Sequence, residues 1–162
     1  MNLNYTNKII LCVFAVIVQF YFPTIFMGGF HLTPDILLIF ITYIAMDENK
    51  KIIMTFGFIL GLMQDLVTQT DLMGAFTFSK TLIAYCISYL YDYRKIWTRE
   101  MKFIFIFSMY LLSFLISAYF VLDRNISFIN ILIYYSLVQS ILSFALFYLV
   151  NRVMLIDNKI VH

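Results

Sequence analysis

Two side chains carry opposite charges in positions that lipid tolerates poorly. In the stretch from Gly57 to Tyr85, GFILGLMQDLVTQTDLMGAFTFSKTLIAY, Asp65 and Lys80 interrupt otherwise apolar runs. Ionisable groups at such depth pair, meet a partner or line a path. Three chemistries therefore fit. The two can form a buried ion pair that fixes the register of a helical hairpin. Either can reach a polar group on a partner helix. Both can line a small ligand cavity or proton path. Counted from the turn near Asp71, Asp65 lies about six residues deep and Lys80 about nine, or roughly 9 and 13 Å. A lysine stem can span that difference by snorkelling.

The same hairpin carries Gly57 and Gly61, which share a helix face with Asp65 because residues four apart stack along it. The G-x-x-x-G spacing allows another backbone to approach closely. A third charge, Asp35, follows Pro34 at the start of an apolar run. Proline suits the first helical turn, and an acid in that turn complements the helix dipole. A contact to a partner is the other role open to Asp35. A second polar set comprises Ser113, Ser117, Ser136, Gln139, Ser140 and Ser143, spaced as at interhelical seams, within the chain or toward a partner.

Catalytic constellations are missing from the pattern. His31 and His162 stand without a nucleophile or second ligand nearby in sequence, and no Ser-His-Asp order, phosphate loop or H-E-x-x-H occurs. Cys12 and Cys86 fall inside apolar runs and read as small hydrophobes, with no zinc or haem spacing. The expectation is a protein that is not an enzyme and holds no cofactor or metal.

The elements that position these residues are apolar helices. The 162 residues are 63% hydrophobic and 12% charged, with a mean hydropathy of +0.91. A soluble domain would be about 45–50% apolar and near 25% charged. The pattern predicts an all-α membrane protein, a single domain over residues 1–162 with spans at about 9–27, 33–46, 52–67, 72–91, 103–122 and 126–150. The first run is read as a retained span rather than a cleaved signal, because it is long and lacks a small-x-small cleavage site. The second is short, roughly 22 Å even from Leu32, so it must tilt little, begin below the surface or be shielded by neighbours.

Loop charge gives the orientation. With six spans, Lys8, Lys50, Lys51, Arg94, Lys95, Arg99, Lys102, Arg152 and Lys159 share one side, and Arg124 alone takes the other. The positive-inside rule then places both termini of this inner-membrane chain in the cytoplasm. Tyr43, Tyr89, Tyr91, Tyr93 and Trp97 fit an aromatic belt at that surface. The basic residues lie in short loops and give no nucleic-acid face.

The order Pro34-Asp35-Ile36-Leu37-Leu38, Gly57-Phe58-x-x-Gly61-Leu62-x-x-Asp65-Leu66, Gly74 and Thr81-Leu82-x-x-Tyr85 resembles the rod shape-determining protein MreD family. The likeness covers roughly Leu32 to Tyr91. The turn TQTDLMG departs from the glycine-rich turn common in that family. The resemblance implies a non-enzymatic subunit of the cell-elongation machinery that binds MreC. Through the complex it would couple MreB filaments to RodA and its penicillin-binding transpeptidase in peptidoglycan synthesis. It also implies a fold similar to the six-helix substrate-binding S components of energy-coupling-factor vitamin transporters, which makes such a subunit the alternative function. Pro34, Asp35, Gly57, Gly61, Asp65, Gly74, Lys80, Thr81 and Tyr85 are the candidate partner-binding or helix-packing residues. The outer half of the second to fourth spans is the expected partner site.

Overall fold

A computed structural model describes residues 5–27, 30–68, 74–93, 95–121 and 128–160. The turn at 69–73 and the segment 122–127, with Asp71 and Arg124, lie outside the described residues, as does Arg94. The helices are α1 (Tyr5–Tyr21), α2 (Ile36–Asp47), α3 (Lys50–Thr68), α4 (Ala75–Ile87), α5 (Tyr89–Asp92), α6 (Arg99–Val121) and α7 (Phe128–Ile160). Lys50–Thr68, Arg99–Phe120 and Ile131–Arg152 are long and apolar enough to cross a membrane, while Ile9–Tyr21 and Ile36–Asp47 are shorter apolar helices.

The first helix stops sooner than the apolar run suggests. It ends at Tyr21, and an antiparallel hairpin of β1 (Ile25–Met27) and β2 (Phe30–Leu32) replaces its expected last turns. Pro23 explains the break, because it offers no N–H and pushes the residue before it out of the helical region. Hydropathy alone cannot see this, since IFM is as apolar in a strand as in a helix.

The short α2 is the axis of the bundle. Leu37 to Thr42, Ile44 and Ala45 are all buried, and the helix packs against α1, α3, α4, α5 and α7. A helix that is apolar all round belongs inside. At 12 residues it is about 18 Å long, so shielding by neighbours is what accommodates its length. The outer helices bury one stripe each. On α3 the buried residues are Ile53, Gly57, Leu60, Gly61, Gln64 and Asp65, and the opposite face exposes Phe58, Ile59, Leu62, Met63, Leu66 and Val67. The antiparallel neighbours α6 and α7 join through an aromatic seam in which Tyr110, Phe144 and Phe147 meet edge to face or tilted.

Helix starts follow caps more than hydropathy. The α6 helix begins at Arg99, ahead of the apolar run at Phe103, with the Thr98 hydroxyl accepting from the Met101 N–H at 3.4 Å and Glu100 in the first turn. The expected fourth span divides at buried Ser88, whose hydroxyl donates to the Tyr85 carbonyl at 2.6 Å.

Candidate functional site

The site is built where α2 begins. Asp35 is the N-cap residue of α2, and Pro34 lies one position before it, so neither occupies the first helical turn as the sequence suggested. The cap decides this, since the short carboxylate reaches the third helical N–H: Asp35 Oδ1 accepts from Leu38 N at 3.0 Å. Its second oxygen, Oδ2, accepts from Lys80 Nζ of α4. The Asp35 N–H donates to Ser143 Oγ of α7 at 3.0 Å, and the Ile36 N–H to Gln19 Oε1 of α1 at 2.6 Å. Gln139 Nε2 of α7 donates to the Thr33 carbonyl. Three helices, α1, α4 and α7, thus converge on the start of α2. Asp35 is 6% exposed and Lys80 1%.

Lys80 therefore pairs with Asp35, and the pair with Asp65, one of the three arrangements open from the sequence, does not form. Asp65 is engaged elsewhere. Its Oδ1 accepts from Phe76 N at 3.0 Å and its Oδ2 from Thr77 N at 2.8 Å and from the Thr77 hydroxyl. These N–H groups belong to the first turn of α4, where they have no intrahelical partner. The N-cap of α4 is Gly74, in the left-handed region at φ +103, and it supplies no side chain. An acid from α3 does the capping instead, and its charge complements the helix dipole.

The glycines let α3 come close enough for this. A Cβ on Gly61 would stand 2.5 Å from Thr77 Cα and 2.8 Å from the Phe76 carbonyl oxygen. One on Gly57 would stand 2.5 Å from Ala84 Cβ and 2.9 Å from the Lys80 carbonyl oxygen. The G-x-x-x-G face is thus covered by α4 of the same chain. Two candidates stand apart from the Asp35–Lys80 centre. Thr81 donates to the Thr77 carbonyl at 2.7 Å and lines an outward groove with Phe58, Leu62, Leu66 and Phe78. Tyr85 is exposed toward the other end, with Lys50 Nζ 3.6 Å from its ring centroid.

Beside the ion pair lies a cavity of about 220 Å³, with Asp35, Lys80, Gln64 and Gln139 on its polar side and Phe76 and Phe114 among its walls. Gln64 is 9% exposed and Gln139 4%, yet Oε1 of each has no hydrogen-bond partner among the described residues. A buried acceptor left unmet costs about 1–3 kcal/mol. In the neighbouring polar seam Ser79 Oγ donates to the Ser113 carbonyl at 3.0 Å and Ser117 Oγ to the same carbonyl at 2.7 Å, while the buried Ser136 Oγ meets no partner among the described residues. Gln19, Gln64 and Ser79 were not singled out from the sequence. Isolated polar residues inside apolar runs were the signal available for them. Among the described residues, no group of three or more His, Cys, Asp or Glu could hold a metal ion.

A short buried helix, capped and charge-paired at its start and wrapped by long apolar helices, defines a helical membrane protein whose polar groups hold helices together. The chain belongs to the rod shape-determining protein MreD family, whose model matches residues 1–155. That membership gives it a role in determining rod shape. No curated protein and no solved structure matches the chain.

Proposed function

We propose that the chain is a non-enzymatic scaffold of the bacterial cell-elongation complex. It crosses the inner membrane six times with both termini in the cytoplasm. It binds MreC at the hairpin end of α2, α3 and α4, and so helps couple MreB filaments to RodA and its transpeptidase. The observation that carries this reading is the pair of buried acceptors unmet among the described residues, Gln64 Oε1 and Gln139 Oε1, on side chains that line the cavity beside the Asp35–Lys80 pair. Donors from a partner segment would satisfy them. Gly57 and Gly61 are covered by α4, whereas Asp35 and Lys80 of the expected partner site line the cavity.

Gln64→Leu separates binding from folding. Replacing an unmet polar group by an apolar one of similar size is close to neutral for stability. The variant should keep its melting temperature while recovering less MreC on co-purification. Full recovery of MreC would overturn the cavity as the partner site.

The alternative, a vitamin-binding subunit of an energy-coupling-factor transporter, has the same polar cavity in its favour. At about 220 Å³ that cavity is smaller than the roughly 300–1,000 Å³ typical of small-molecule pockets. A rise in melting temperature of the purified chain with a vitamin would favour the transporter reading over the scaffold.

A further inference from the structure

At the opposite end of α2, two arginines on different helices share one cleft. Arg99 opens α6 and Arg152 closes the apolar stretch of α7. With Tyr148 and Asn151 they line a space of about 320 Å³. The Arg99 guanidinium lies 5.5 Å from the Phe103 ring centroid, held over the first turns of α6. Two arginines lining one small space concentrate positive charge there, and their planar forks fit phosphate oxygens.

A second crevice, of about 250 Å³, shares Arg99 and Asn151 with the first. Met46, Phe103, Ile106 and Phe147 give it an apolar lining, and Lys102 also lines it. A cationic cleft thus continues into an apolar one at the level where two long apolar helices end. A free phosphate would use only the first half of that arrangement, whereas a lipid with an anionic headgroup uses both.

We propose that Arg99 and Arg152 bind the phosphate of an anionic phospholipid whose acyl chain lies in the crevice beside Met46 and Phe103. This site is separate from the partner cavity and does not depend on MreC binding.

The test uses the full chain, purified in detergent, with binding of phosphatidylglycerol and phosphatidylcholine measured by native mass spectrometry. Phosphatidylglycerol should be preferred, and Arg99→Gln with Arg152→Gln should remove the preference. Each basic side chain near the membrane surface contributes about fivefold, so the loss should be about 25-fold. Both arginines are exposed, so the variant should keep its melting temperature. Soluble glycerol phosphate should fail to displace the lipid. Equal binding of the two lipids by the unaltered chain would overturn the site whether or not the variant folds. So would a preference that survives the double substitution, or displacement by glycerol phosphate, which would mark a phosphate site without a lipid.

Discussion

Lys80 of α4 donates to the carboxylate of Asp35, 45 residues away at the start of α2, and both side chains are almost wholly buried. Removing one partner strands the other charge in the buried interior. Lys80→Met and Asp35→Leu should each destabilise the fold by about 3–5 kcal/mol. Together they should cost less than the sum, since no charge is then left unpaired. Unfolding of the four proteins in mild detergent gives this cycle directly. Simple additivity would mean that the two residues do not interact. Exchanging the charges of Asp65 and Lys80 should restore nothing.

Asp65 acts on α4 through its oxygens. Asp65→Ala removes the acceptors for Phe76 N and Thr77 N from a helix whose own N-cap is a glycine. Hydrogen bonds to charged groups contribute about 1.5–3 kcal/mol each. Asp65→Ala should therefore lower stability by at least about 2 kcal/mol, and Asp65→Asn, which keeps one acceptor, by less. Hydrogen exchange at residues 75–78 should rise in Asp65→Ala and stay low at α6. Unchanged exchange at 75–78 would contradict the capping role.

The contact of α3 with α4 is close enough that one methyl group decides it. Gly61→Ala would push a Cβ against Thr77 Cα, which is backbone and cannot swing aside. Overpacking of this kind costs about 1–3 kcal/mol, so the melting temperature should fall. Gly57→Ala meets the Ala84 methyl first, so adding Ala84→Gly should recover part of its loss. No recovery is expected for Gly61→Ala with Ala84→Gly. A Gly61→Ala protein as stable as the parent would place α3 and α4 further apart.

Much of this was legible before the fold was seen. The apolar runs marked the helices, and the Pro34-Asp35, Gly57, Gly61, Asp65 and Lys80 positions marked the polar centre. The pairing within that centre was not legible. Depth along a hairpin made Asp65 and Lys80 look like neighbours. The choice instead depends on where the start of α2 lies between α4 and α7, which no local spacing encodes. Asp65 was also claimed by a competing demand, the unmet N–H groups of α4, visible only once Gly74 is seen to cap nothing. Gln64 was hidden for a simpler reason. It sits one residue before a conspicuous acid, and only burial shows that its side chain faces inward with an unmet oxygen.

The central claim is that the hairpin end of this bundle is held by a partner. The most direct measurement places a photo-crosslinking residue at Thr68, which is exposed and borders the cavity, and a second at Leu149, exposed near the end of the apolar stretch of α7. Irradiation of living cells should give an adduct with MreC from position 68 and none from position 149. An adduct from position 149 alone would contradict the account.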